Sequence, residues 1–277
     1  MNFIDRLKAS ADRFKSIVCL GLDPVLEDIP LEGSAGVKIY SFYESILNRM
    51  IQTGTTPSAV KPNYAFYAQY GIEGLETLIK IISIFQKEGL PVIFDAKRGD
   101  IDKTAKAYAR EAFEVFKADA VTLSPYLGLD SVAPFMDGYP DRGWYILTKT
   151  SNKSSADLQD IDAGGVPVFM KVAEKIISWY RPGIGSVAGA TYPEELSRIL
   201  GQFRASGKEV PLLIPGVGTQ GGDLEKVVRI LKSSGDVRIH RINSSSAINY
   251  AYKKNRSMHF ADAAVLALKD LNTQIGF

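Results

Sequence analysis

The chain has 277 residues, 45% of them hydrophobic and 23% charged, with 33 Lys and Arg against 31 Asp and Glu. This is the composition of an ordinary soluble globular protein, and it argues against nucleic-acid and membrane partners. No stretch offers the roughly eighteen uncharged apolar residues that a membrane-spanning helix needs.

The opening "MNFIDRLKASADRF" distributes polar residues along its length, unlike a secretory leader, and reads as an N-terminal helix of a cytoplasmic protein. Eight short apolar runs follow, at 16–22, 57–60, 91–94, 118–123, 144–148, 184–190, 210–215 and 237–243. Cys19, the one cysteine, sits in the first of them, "SIVCLGL". Alone it closes no intrachain disulfide and builds no cysteine metal site, so it reads as core in a reducing compartment.

Between most of these runs, apolar residues recur at three- and four-residue spacing, as in "GLETLIKIISIFQKEG" and "DLEKVVRILKSSG". Such segments predict amphipathic helices. Strands alternating with helices imply parallel strands joined by right-handed crossovers. Eight such units predict an α/β fold, a closed (β/α)₈ TIM barrel, with 1–277 as a single domain and a doubly wound open sheet as the alternative. The longest irregular stretch, "KTSNKSSADLQDIDAGGVP" at 149–167, predicts an elaborated loop and a candidate lid.

In "VIFDAKRGDI" an apolar run stops abruptly at Asp95, Lys97, Arg98 and Asp100. Alternation along a strand lets Asp95 and Lys97 point one way while Ala96 points the other. Asp23 in "CLGLDP" and Lys61 in "AVKPNYAFY" hold the same position past their strands, at the rim where such a barrel builds its site. "PGVGTQGGD" at 215–223 follows the seventh strand and precedes a helix, a setting that favours a bound anion. His240 and His259 have neither a cysteine nor a spaced carboxylate cluster beside them, so no metal site is expected. No G-x-S-x-G elbow is present either.

The run "DAKRGDI", with "GLDP", "VKPNYAFY", "TSN", "GATYPEEL" and "PGVGTQGGD" in this order, resembles the orotidine 5′-phosphate decarboxylase family, in its longer-chain bacterial branch, over about residues 16 to 251. The resemblance implies the same barrel fold and a cofactor-free, metal-free decarboxylation of orotidine 5′-phosphate to uridine 5′-monophosphate (UMP). It implies that Lys61, Asp95 and Lys97 form an alternating charge array with Lys97 as proton donor. Asp100, with Ile101 and Thr104, would complete the array from the neighbouring subunit of a homodimer. Asp23 and Lys61 would hold the ribose hydroxyls, Ser151 the pyrimidine edge, Pro215 the base pocket, and Gly218 and Gln220 the phosphate end, beside Ser245.

One residue departs from the pattern. Where the family's last strand ends in N-S-S-R with a phosphate-clamping arginine, this chain reads "NSSSAI" and places Ser246 there. A hydroxyl lacks the charged bidentate grip of arginine, which implies weaker phosphate binding or a substitute cation, with Arg241, Lys253 and Arg256 nearest in sequence. The alternatives are a related Mg²⁺-dependent sugar-phosphate barrel enzyme and a degenerate nucleotide-binding protein without turnover.

Overall fold

The computed structural model describes residues 1–217, 223–233 and 235–277. Eight parallel strands run β1 Val18–Leu22, β2 Ala59–Pro62, β3 Ile93–Arg98, β4 Ala120–Leu123, β5 Gly143–Lys149, β6 Ile184–Ala188, β7 Leu212–Ile214 and β8 Arg241–Ser244. Their hydrogen-bonded order is β2-β1-β8-β7-β6-β5-β4-β3. Bridges from Val60 to Val92 and from Asn63 to Asp95 join the two ends of that sheet. The fold is therefore the (β/α)₈ barrel that the alternation predicts, not an open sheet.

Helices cover its outside. Among them, Ala35–Thr53, Gly71–Lys87, Val168–Ser178, Pro193–Ala205, Leu224–Lys232 and Phe260–Ile275 each bury one apolar face against the strands. The helix at Leu224 starts where its sequence says, since the Asp223 side chain accepts the Lys226 amide at 3.0 Å. Among the described residues, no helix is long and apolar enough to cross a membrane.

A second, smaller core fills the inside of the barrel, where Cys19, Ala59, Ile93, Ala120, Tyr145, Val187 and Leu213 meet Phe3 and Leu7. The latter two belong to α1, Phe3–Phe14, which lies across the N-terminal mouth. The wholly buried Arg241 fastens it there, donating to Leu7 O and Ser10 Oγ, each at 2.7 Å. One end of the barrel is thus sealed with side chains.

The eighth strand begins later than the apolar run predicts. The Asp236 carboxylate accepts the Arg238 amide at 3.1 Å and caps a 3₁₀ turn at Val237–Ile239, so pairing starts only at Arg241. Between them, buried His240 accepts the Leu212 amide on Nδ1 at 3.0 Å. Burial, assisted by the Arg241 cation and opposed by Asp236, holds the imidazole down at about 3. The unfolded histidine titrates near ~6.5, so between the two values only the unfolded chain binds this proton and stability declines as pH falls. In urea unfolding at stepped pH, His240→Gln is expected to flatten that acid slope between about 6.5 and 3. A slope left unchanged would move the acid sensitivity to another group.

Candidate active site

The two-residue period of the strands decides what reaches the open, C-terminal mouth. The inward series runs Cys19, Gly21, Asp23 through β1; Ala59, Lys61 on β2; Ile93, Asp95, Lys97 on β3; Ala120, Thr122 on β4; Tyr145, Leu147 on β5. On these five strands the first member packs in the inner core and the last lines a cavity of about 510 Å³. On β1 to β4 apolar floor gives way to polar wall within two or four residues, while β5 presents Leu147.

Asp95 is the hub of that wall. Its Oδ2 accepts Lys61 Nζ at 2.7 Å, and its Oδ1 accepts Lys97 Nζ at 2.6 Å and Thr122 Oγ1 at 3.0 Å. Asp95 and Lys61 are buried, whereas the Lys97 side chain is 49% exposed and reaches into the cavity. Burial alone would raise the carboxyl, but the two ammonium groups outweigh it and hold Asp95 well below the usual carboxylate range. Burial likewise opposes the charge on Lys61, and the carboxylates of Asp95 and Asp23 outweigh it, raising the ammonium above its ordinary value. Lys61 and Asp95 are therefore both charged at neutral pH.

The remaining residues singled out from the sequence do not all reach the cavity. Asp23, Ser151, Pro215, Ser245 and Ser246 line the same cavity. Asp23 presents a buried Oδ1 that has no hydrogen-bond partner among the described residues, an acceptor aimed at whatever enters. Ile101 and Thr104 instead line a separate surface groove with Lys106, Arg110 and Tyr139. Asp100 accepts the Ile101 amide at 2.8 Å, outside the cavity lining of its own chain. Gly218 and Gln220 lie outside the described residues. Arg98, the fourth charge of the opening motif, turns outward, where it pairs with Glu111 at 2.7 Å and lies over the Tyr64 and Tyr108 rings.

The 149–167 segment is tied to the barrel by its own side chains. Buried Lys149 pairs with Asp160 at 2.6 Å and sits 4.5 Å from the Tyr192 ring centre. Gln159 accepts the Thr150 amide at 2.9 Å. Gly189 makes room for Ser151, whose Cα would be 2.8 Å from any Cβ added there. These contacts present Thr150, Ser151 and Asn152 to the cavity as one braced turn.

The family described as "Orotidine 5'-phosphate decarboxylase / HUMPS family" matches residues 16–255. The chain belongs to this family. It is 43% identical to the orotidine 5'-phosphate decarboxylase of Dechloromonas aromatica (strain RCB) over 276 residues, 98% of each chain. To the enzyme of that name from Ralstonia nicotianae it is 42% identical over 268 residues, 95% of this chain and 94% of the relative. Among solved structures, an orotidine-monophosphate-decarboxylase from Toxoplasma gondii superposes with a TM-score of 0.83 at 31% identity, covering 99% of this chain and 97% of its own. The OMP decarboxylase of Leishmania donovani gives 0.79 at 33% identity over the whole of both chains.

Within the orotidine 5'-phosphate decarboxylase frame, the cavity also holds residues that the sequence reading passed over: Thr122, Asn243, Tyr250 and Phe66. Parity was the available signal for Thr122, because it follows core-facing Ala120 by two, and Asn243 stands two residues before Ser245. Tyr250 gave no such sign; its hydroxyl accepts the Val25 amide at 2.7 Å and donates to Asp23 O at 3.2 Å, which fixes the loop that carries Asp23.

Proposed function

We infer that this protein is a carboxy-lyase that converts orotidine 5′-phosphate to UMP and CO₂ in pyrimidine nucleotide synthesis. Family membership supports the reaction, and the Lys61, Asp95, Lys97 array at the cavity wall carries the mechanism. Breaking the C6–carboxylate bond leaves an electron pair in the plane of the ring, where the π system cannot accept it. The Lys97 ammonium is a compact cation that stabilises this pair and then delivers its proton to C6, leaving a neutral amine that solvent reprotonates. Asp95, ionised beside it, repels the substrate carboxylate by about 4 kcal/mol at ~4 Å for an effective dielectric near 20, and that repulsion disappears with CO₂. The unpartnered Asp23 oxygen suits a ribose hydroxyl, with Lys61 beside it, Ser151 suits the pyrimidine edge, and Pro215 the base.

The test is the loss of orotate absorbance with the purified protein and orotidine 5′-phosphate in excess EDTA. Turnover that survives EDTA supports cofactor-free decarboxylation. Activity that appears only with Mg²⁺ and a sugar phosphate would replace it with the other chemistry that the family description spans.

The phosphate end lacks a described cation of its own. Lys61 and Lys97 are the cationic side chains among the described lining residues, and both bond to Asp95. Arg241 points to the sealed end, and Lys253 pairs with Asp28 while lying 5.4 Å from the Tyr250 ring centre. Ser246→Arg is therefore expected to tighten UMP binding about 10- to 100-fold, the worth of one charged hydrogen-bonding group. Unchanged affinity in calorimetric titration would mean that the phosphate is held without position 246.

The proposed assembly is a homodimer in the cytoplasm, the compartment that suits a lone buried thiol and this biosynthetic step. Asp100, Ile101 and Thr104 would serve the partner's cavity. Mixing inactive Lys97→Ala and Asp100→Ala chains, unfolded and refolded together, should then restore about 25% of wild-type turnover, because random pairing rebuilds one site in half of the dimers. No recovery would place Asp100 in the site of its own chain.

A further inference from the structure

Strand β3 does not pair evenly with β4. Phe94 stands opposite Val121 and Arg98 opposite Leu123, so three residues of β3, Asp95 to Lys97, face Thr122 alone. The excess is absorbed at Lys97, whose φ of +47° puts a non-glycine residue in the left-handed region. Its amide donates to the Thr122 side chain, with Oγ1 accepting Lys97 N at 2.9 Å. The same hydroxyl spends its one proton on Asp95 Oδ1 at 3.0 Å.

We propose that Thr122 is a positioning residue for the decarboxylation, its hydroxyl holding the β3 bulge so that Asp95 and Lys97 enter the cavity as a fixed pair. This rests on the reading of the site given above. One hydroxyl binds the main chain of the proton donor and the carboxylate of its partner at once, so both lose a bond together when it is removed. Valine keeps the shape of threonine and a place in the strand, yet it can neither accept the Lys97 amide nor donate to Asp95. Serine keeps both capacities. The bulge matters because a small displacement of a reacting group costs far more in rate than in binding.

The experiment compares wild type, Thr122→Val, Thr122→Ser and Lys97→Ala, each first shown to be folded by circular dichroism and thermal melting. Thr122→Val should lose roughly 10- to 100-fold in kcat while UMP, which lacks the leaving carboxylate, binds within about threefold of wild type. Thr122→Ser should restore most of kcat. In the free proteins, hydrogen exchange of the Lys97 amide should accelerate in the valine variant and not in the serine variant. A valine variant with wild-type kcat, or one that loses kcat and UMP affinity in equal measure, overturns the proposal. A wild-type protein without turnover overturns the decarboxylase reading instead, and unchanged Lys97 amide exchange in the valine variant then overturns the Thr122 proposal separately.

Discussion

Replacing Lys97 by alanine is expected to lower kcat for orotidine 5′-phosphate by about 10⁴-fold or more, because it removes both the cation facing the developing carbanion and the proton that quenches it. The fold should survive. The Lys97 side chain is 49% exposed, and Asp95 keeps Lys61 at 2.7 Å and Thr122 at 3.0 Å when it is gone. Lys97→Arg should fail nearly as badly, since a guanidinium keeps the charge but does not release its proton at any working pH. The two variants together separate electrostatic help from proton delivery: an arginine variant close to wild type would assign Lys97 a purely electrostatic role. Either variant retaining more than about a tenth of kcat would remove Lys97 from the proton-transfer step.

The barrel was readable because its strands are buried on both faces and so appear as short apolar runs, while each helix shows a 3.6-residue period. The reading slipped at β8, where apolar Val237 and Ile239 belong to a capped turn that composition alone does not distinguish from a strand. At the cavity, charge made Asp23, Lys61, Asp95 and Lys97 conspicuous, since ionic groups ending apolar runs demand a reason. Thr122 carries no charge and threonine is ordinary in strands, so only the pairing offset between β3 and β4 exposes what its hydroxyl does. The left-handed Lys97 is equally silent in sequence, where a lysine gives no hint of positive φ. Arg241 shows the opposite hazard: a cation two residues before the cavity-lining Asn243 faces the sealed floor and fastens α1.

Asp95→Ala should be the costliest single change for stability. It leaves Lys61, only 5% exposed, without the carboxylate 2.7 Å away that keeps it charged. Breaking such a buried pair from one side costs about 3–5 kcal/mol, with Asp23 as the remaining counter-charge. In the wild type the Asp95 carboxyl is depressed, so its contribution is full above ~4 and is lost as pH falls through the folded value. The Lys61 ammonium is raised, so its contribution is full below ~10.4 and is lost as pH rises through the folded value. Between those limits the pair adds no pH dependence. With Asp95 gone, burial dominates and pushes Lys61 below its unfolded value, so the variant should gain stability as pH rises toward ~10, where the wild type is flat. Adding Lys61→Met removes the stranded charge and should recover much of the loss and abolish the slope. Urea unfolding of the three proteins between pH 6 and 10 decides the matter: equal losses in the single and double variants would mean that Asp95 stabilises the barrel through Thr122 and the β3 bulge, not through Lys61.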